Sequence, residues 1–291
     1  MWRTLIFGSL LVLSHSVWAS QSYVRQYSAA LEQSDWQLRH NSPLRCEISH
    51  PIPGFGEAVF HSEAGKELNL WFELKMLRLP DGYDLAEVLS IPPRWRPGEQ
   101  ARAIASMRLL KQFNGDLPKQ AAWNMLHELE RGYQPTFYFS DWHQPEDKVV
   151  ASLNPVQFPA IYQQFNQCIS MLLPYRFEDI AFTVLSYEVG GDQLTRESRR
   201  RLAAIAEYLK YDDAIEQVQI QGYTDSYGGR WMNEQLSVQR AEKVKRFFVD
   251  AGLAENRIDV DGFGQRRHVA PNQTIQGRAT NRRVVVQMTR P

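Results

Sequence analysis

The sequence predicts an α+β protein, in which a β-rich N-terminal domain with two helices is followed by a smaller α/β sandwich. Two observations carry this prediction. Up to about residue 174, apolar residues mostly alternate with polar ones, as in strands that are buried on one face. Beyond that point strand-like segments alternate with helical stripes, a pattern typical of helices packed on a small mixed sheet. We therefore expect one domain over residues 20–174 and a second over residues 175–291.

The strand pattern of the N-terminal half is clearest at 68–76, where a period of two is kept over nine residues. A connection rich in proline and glycine, from Pro51 to Gly56, separates two shorter strands and indicates a tight turn. The predicted strands are 44–48, 59–61, 68–76, 136–139 and 149–153, and the predicted helices are 118–132 and 159–173. An irregular loop is expected at 92–98.

The last third has a different period. A helical stripe runs from Leu202 to Leu209, and a second predicted helix runs from Leu236 to Ala251 and is closed by Gly252. The predicted strands are 180–189, 218–220, 258–262 and 284–288. These elements follow the order β-α-β-α-β-β, with both helices on one small sheet.

Composition limits the class of partner. Lys plus Arg and Asp plus Glu both number 33, so the net charge is zero. Nucleic acid or an anionic membrane as the main partner would call for a strong basic excess. The run Arg199-Arg200-Arg201 is more often a solvated helix face than a binding patch.

The N-terminus carries the features of a secretory signal. Arg3 precedes an apolar run over 5–13, and Val17-Trp18-Ala19 resembles a cleavage site. We predict a signal peptide at 1–19 and a periplasmic mature protein. The alternative is a retained anchor, but the run is much shorter than the roughly 20 residues that span a bilayer.

Export changes the expectation for the two cysteines, Cys46 and Cys168. In an oxidising compartment a pair of thiols favours a disulfide, here one that closes a loop of 122 positions. Two free buried cysteines remain the alternative. A metal site is not expected, because no pair of histidines lies at ligand spacing.

Four linked motifs lie within the last third. They read Gly-Tyr-Thr-Asp at 222–225, Asn-Glu-Gln-Leu-Ser-Val-Gln-Arg-Ala at 233–241, Gly-Phe-Gly at 262–264 and Gly-Arg-Ala-Thr-Asn-Arg-Arg-Val at 277–284. The segment resembles the OmpA-like peptidoglycan-binding domain, which carries these motifs in this order. The resemblance implies that Asp225 and Arg240 grip the amino and carboxylate groups of diaminopimelate in the cell-wall stem peptide. One position departs from the family pattern, since His268 stands where proline is usual.

The residues themselves allow the same interpretation, since a carboxylate and a guanidinium can together clamp a small zwitterion. Spacing alone leaves open that Asp225 and Arg240 instead pair with each other. The full set of predicted peptidoglycan-binding residues is Asp225, Arg240, Thr224, Asn233, Leu236, Arg278, Asn281 and Arg282. Within this set Asn233 is also a candidate helix N-cap. For Arg278, Asn281 and Arg282 two roles stay open, either at the rim of the binding site or in holding the local fold.

No catalytic centre is expected. The sequence lacks HExxH, GxSxG and P-loop motifs. Adjacent carboxylates such as Asp212-Asp213 are more typical of solvated turns than of a glycosidase pair. We predict neither a catalytic residue nor a cofactor.

The N-terminal half resembles a second family, the MotY proteins of the T ring in sodium-driven polar flagellar motors. The segments that carry the resemblance are 43–46, 50–60, 72–76, 95–99, 111–113, 177–183 and 191–195. This resemblance implies that the N-terminal domain binds MotX and the flagellar basal body, and that the chain indirectly anchors the stator complex to peptidoglycan. The alternative is a general cell-envelope scaffold that binds the wall outside the flagellum.

Overall fold

The computed structural model describes residues 23–93, 95–188 and 193–290. The predicted signal peptide lies outside the described residues. Two five-stranded sheets and two helices come first along the described chain, followed by a four-stranded sheet with its helices. The predicted α+β class, with a strand-rich N-terminal region and a C-terminal α/β layer, is confirmed.

The two N-terminal sheets are built mostly from antiparallel neighbours. One has the order β1-β10-β9-β6-β7, in which the short β1 is parallel to β10. The other has the order β2-β3-β4-β5-β8. Their strands are β1 (Val24–Ser28), β2 (Gln37–Asn41), β3 (Arg45–Ile52), β4 (Gly56–Glu63), β5 (Trp71–Met76), β6 (Asp84–Ile91), β7 (Arg102–Leu109), β8 (Gly115–Leu117), β9 (Gln134–Ser140) and β10 (Lys148–Ser152).

A single aromatic-rich core joins the two sheets. Phe72 of β5 stacks on Phe137 of β9 with ring centroids 5.5 Å apart, and the Phe60 ring packs on Phe72 with centroids 4.8 Å apart. All three rings are fully buried. Each such ring removes a large apolar area from water, so this contact is a main source of stability for the N-terminal half.

Two helices cover this half, as the sequence predicts: α1 (Lys119–Glu130) and α2 (Phe158–Ser170). The disulfide between Cys46 of β3 and Cys168 of α2 is present and closes the expected 122-residue separation. Both cysteines are fully buried. The bridge therefore ties the last N-terminal helix to an early strand.

The C-terminal sheet has the order β11-β14-β12-β13, and only β12 and β13 are parallel. Its strands are β11 (Phe182–Ser186), β12 (Gln217–Gly222), β13 (Ile258–Gly262) and β14 (Arg283–Thr289), and its helices are α3 (Phe177–Ile180), α4 (Arg196–Leu209), α5 (Arg230–Asp250) and α6 (Ile275–Asn281). Apolar residues of α4 and α5, such as Ile205 and Phe248, share one core with this sheet.

Two predicted strand starts need correction, and one short helix was missed. The strand expected from residue 68 begins at Trp71, because the Asn69 side chain bonds the Glu63 backbone at both N–H and C=O and closes the turn earlier. The strand expected from residue 180 begins at Phe182, since a short helix precedes it, in which the Asp179 carboxylate accepts from the Arg176 N–H. Helix α6 was not predicted, because its seven residues are too few to show a period.

The two halves make close contact where the chain passes from one to the other. The backbone N–H of Leu173 donates to Pro43, and its carbonyl accepts from Gly65, both at 2.8 Å. Ala64 is buried in the C-terminal core, and Leu44 packs against that core. Two side chains from N-terminal strand ends therefore pack with the C-terminal layer.

Candidate functional site

The loop after β12 places two polar side chains at the carboxyl end of the C-terminal sheet. The Tyr223 N–H donates to Arg283 at 2.9 Å, and the Thr224 N–H donates to Gly264 at 2.8 Å, so the backbone is tied to both neighbouring segments. Thr224 and Asp225 follow directly, and both are buried. The carboxyl end of a strand in an open sheet is a common position for ligand-binding groups.

Helix α5 lies unusually close to this sheet. A Cβ atom added at Gly222 would come within 2.0 Å of the Ser237 carbonyl oxygen, and one at Gly262 would come within 2.7 Å of the Ser237 hydroxyl. That hydroxyl also accepts a hydrogen bond from the Gly264 N–H at 2.9 Å. The glycines and the serine of the motifs therefore set the distance between the helix and the strand ends.

Arg240 lies on the sheet-facing side of α5 and is 4% exposed. Its guanidinium carbon stands 4.4 Å from the centre of the Tyr187 ring, a cation–π arrangement. This contact and the burial of the side chain restrict where the guanidinium can lie.

Asp225 is paired, but with a different arginine from the one that spacing suggests. Its Oδ2 accepts from Arg282 Nη1 at 2.7 Å, and its Oδ1 accepts from the Tyr227 N–H at 2.9 Å. Arg282 lies at the end of α6, which the sequence analysis did not predict. The alternative pairing of Asp225 with Arg240 is therefore replaced by an Asp225–Arg282 ion pair.

The predicted residues converge on one cavity of about 500 Å³. Its lining consists of Thr224, Asp225, Tyr227, Asn233, Leu236, Arg240, Arg278 and Arg282. Of these, only Tyr227 was absent from the sequence prediction. This volume falls within the range of about 300–1,000 Å³ that is usual for small-molecule sites.

Asn281 does not line that cavity. It is fully buried, and its side-chain oxygen accepts from the N–H groups of Val269 and Ala270, at 2.9 and 3.0 Å, while its amide donates to the Ala270 carbonyl at 2.8 Å. Of the two roles left open by the sequence, these bonds favour the scaffold role, in which Asn281 shapes the loop before α6.

Asn233 is not the N-cap of its helix. Helix α5 begins three residues earlier, at Arg230, with Gly229 at the cap position. Asn233 is instead buried in the first turn, and its amide donates to the Tyr227 carbonyl at 3.2 Å. It thereby fixes the loop that carries Tyr227 while lining the cavity.

The cavity combines one carboxylate with three guanidinium groups. Within the described chain, the Thr224 hydroxyl and the Arg282 Nε are buried and have no hydrogen-bond partner. A buried donor without an acceptor is costly, about 1–3 kcal/mol, so a ligand oxygen at this place would be stabilised. The arrangement suits a ligand that carries one ammonium and at least one carboxylate.

Behind the cavity, a second buried arginine supports the sheet edge. Arg283 lies over the Tyr223 ring at 3.9 Å and donates to the Arg267 carbonyl at 3.0 Å. Burial lowers the pKa of Arg283, and the neighbouring Tyr223 opposes this shift. Arg283 therefore serves packing and does not line the cavity.

The described residues contain no cluster of three or more His, Cys, Asp or Glu side chains that could hold a metal ion. They also contain no helix with the length and apolar character needed to cross a membrane.

Comparison with known proteins gives two family matches. Residues 27–174 match the MotY N-terminal domain, and residues 186–282 match the OmpA family. The sodium-type flagellar protein MotY of Vibrio parahaemolyticus is 45% identical over 278 residues, which cover 94% of this chain and 95% of that protein.

Other relatives match about a third of the chain. The outer-membrane lipoprotein YfiB of Pseudomonas aeruginosa is 42% identical over 95 residues, which cover 33% of this chain and 56% of that protein. The crystal structure of the peptidoglycan-associated lipoprotein from Burkholderia pseudomallei aligns with a TM-score of 0.34 and 24% identity, over 36% of this chain and 89% of that one.

Proposed function

Because the chain belongs to the MotY family, we propose that it is a periplasmic, non-enzymatic component of a flagellar motor that binds peptidoglycan. The observation that carries the wall-binding part is the convergence of Asp225 and Arg240 on one cavity. The residues 20–174 form the domain that meets motor partners, and 175–291 form the domain that meets the wall.

Diaminopimelate of the stem peptide is the proposed ligand, because its free end carries both an ammonium and a carboxylate. The ammonium binds the Asp225 carboxylate, which retains acceptor capacity beside its bond to Arg282. The ligand carboxylate binds Arg240, with the Thr224 hydroxyl and the Arg282 Nε as further donors.

The strength of this binding follows from the number of charge-assisted bonds. Each contributes about 1.5–3 kcal/mol, so a few of them give an affinity nearer micromolar than nanomolar. The wall presents the same stem peptide many times. Several copies of the protein held together would therefore bind far more tightly than one, through effective concentration.

In the motor, the N-terminal domain binds MotX and the basal body within the T ring, and the stator is held indirectly. A stator that generates torque needs a fixed reaction point. A periplasmic ring supplies that point by gripping the covalent wall, and no bond in the wall has to be broken for this purpose.

The test of wall binding uses charge-removing variants that keep side-chain shape. Asp225→Asn retains the acceptor for the Tyr227 N–H, and Arg240→Gln retains part of the packing on Tyr187. The assay measures the fraction of protein that sediments with purified sacculi over a range of sacculus concentrations. Each variant should show an apparent affinity at least about tenfold lower than the parent, as expected for one lost charge-assisted bond.

Matched controls are available on the same domain. Asp213 and Arg246 are exposed, and Arg246 lies on α5, as Arg240 does. Asp213→Asn and Arg246→Gln should bind sacculi like the parent, and circular dichroism should show that all four variants are folded. Parent-like binding by both cavity variants would refute the assigned site.

The motor role has its own readout. Cells that express the Asp225→Asn chain in place of the parent should swim poorly while still carrying filaments. If loss of the whole gene leaves swimming unchanged, the protein is instead a general cell-envelope scaffold.

A further inference from the structure

A tyrosine at the mouth of the cavity has no role in the binding scheme described above. Tyr227 lines the cavity, yet its side chain is 83% exposed. Within the described residues no other aromatic ring or arginine packs on it. An exposed tyrosine is common on protein surfaces, but this one borders a cavity that is lined by charged groups.

The backbone of Tyr227 is nevertheless held in place. Its N–H donates to Asp225 Oδ1 at 2.9 Å, and its carbonyl accepts from the Asn233 amide at 3.2 Å. Both partners line the cavity. The ring therefore projects from a fixed point beside the carboxylate, so a ligand that stacks on it would not have to order the loop first.

A second apolar side chain continues this rim along α5. Met232 is 63% exposed and precedes Leu236 by four residues, so the two lie on one face of the helix. Leu236 lines the cavity. The cavity thus holds the charged groups, and an apolar rim extends from it toward solvent.

The chemistry of the wall shows what reaches this rim. Diaminopimelate is the third residue of the stem peptide, and the first residue is attached to N-acetylmuramic acid of the glycan strand. An extended three-residue segment spans about 10 Å. A sugar therefore lies within about 10 Å of a diaminopimelate held in the cavity, a distance that reaches the rim.

Sugar rings suit such a surface. One face of a pyranose presents C–H groups, which pack on an aromatic face, while the hydroxyl groups at its edge stay in water. A tyrosine offers both a ring and a polar tip, and it is stiff, with two side-chain torsions. The sugar ring carries no charge, so it forms no ion pair with the arginines deeper in the cavity.

From these observations we infer that Tyr227, supported by Met232, forms a subsite for a glycan sugar of peptidoglycan beside the peptide-binding cavity. This inference rests on the proposed wall-binding function. It predicts that the protein binds a stem peptide carrying its disaccharide more tightly than the same peptide without sugar. The expected difference is about two- to tenfold, the range of one aromatic contact.

The test measures both ligands by calorimetry on the full mature chain. The ligands are the tripeptide that ends in diaminopimelate and the same tripeptide attached to the N-acetylglucosamine–N-acetylmuramic acid disaccharide. Tyr227→Ala should bind the two with equal affinity, at the level of the parent with the bare peptide. Tyr83→Ala is the matched control, because Tyr83 is 80% exposed in the N-terminal half.

The outcomes separate the two proposals. If the parent binds both ligands equally, or if Tyr227→Ala keeps the full preference for the disaccharide form, the sugar subsite is refuted and the peptide site stands. If the parent binds neither ligand, the proposed wall-binding function fails together with the subsite. A preference that disappears in Tyr227→Ala and persists in Tyr83→Ala supports the subsite.

Discussion

The separation of α5 from the C-terminal sheet can be tested by a single methyl group at Gly222. An alanine there would place its Cβ 2.0 Å from the Ser237 carbonyl oxygen. The helix would have to move by at least about 1.4 Å before this pair reached ordinary van der Waals contact. Because the clash is with backbone, a change of rotamer cannot relieve it.

Two effects follow from such a shift. Overpacking of this kind costs about 1–3 kcal/mol of unfolding free energy. The shift also moves Arg240, carried by α5, away from Asp225, carried by the loop after β12. A zwitterion that spans both groups then loses at least one good hydrogen bond, which weakens wall binding about tenfold or more.

The assay compares Gly222→Ala with Gly82→Ala, since a Cβ added at Gly82 meets no atom within 4 Å. Urea unfolding reports stability, and sedimentation with sacculi reports binding. Only Gly222→Ala should show both a lower unfolding free energy and weaker binding to sacculi. A variant that is destabilised but binds the wall like the parent would show that the position of α5 does not set the site, and unchanged stability would contradict the packing argument itself.

Three further predictions concern stability. Replacing Cys46 and Cys168 together by alanine should lower the unfolding free energy by about 3–5 kcal/mol, because the bridge closes a 122-residue loop; a urea series in which the loss stays below 1 kcal/mol would refute this. Burial lowers the pKa of His50 from 6.5 to about 4, so the unfolded chain binds the proton first and stability present at pH 7 is lost as the pH falls through this window. The loss should be about 2 kcal/mol between pH 7 and pH 5, and a His50→Gln chain with the same pH slope would disprove the assignment. Asn281→Ala should cost about 1–3 kcal/mol, because the backbone N–H groups of Val269 and Ala270 lose their common acceptor. Thermal unfolding at the parent temperature would contradict this prediction.

The sequence predicts those parts of the fold that have long, regular patterns. Helix α2 and strand β9 were expected within a few residues of their observed ends. Strand β6 was not predicted, because its buried positions include Ala86 and Ser90, which give no apolar alternation. Small or polar residues pack well inside the molecule without leaving a hydrophobic signal in the sequence.

At the site, the sequence indicates which residue types are needed but not how they pair. The partner of Asp225 is Arg282, which lies 57 positions away, at the end of a short helix. That contact depends on where α6 settles, and Asn281 fixes this through bonds to a loop without regular structure. The sequence does contain one indication of Tyr227, an aromatic residue that lies between the motif of Asp225 and the predicted helix of Arg240.

The contacts between the two halves bear on how a grip on the wall could hold a motor in place. If the wall pulls on the loop after β12, the force passes across the ladder to β14 and on to β11. From there one path follows the chain to Leu173, whose backbone bonds both Pro43 and Gly65. A second path bypasses that segment, because Ala64 and Leu44 pack directly with the C-terminal core. These positions flank β3 and β4, and β3 is bound covalently to α2 by the disulfide. A load on the cavity therefore spreads into the N-terminal sheets through several parallel connections, so the segment at residue 174 does not carry it alone as a flexible tether would. Such a connection fits the proposed function, because a slack link would let the anchoring point move under load.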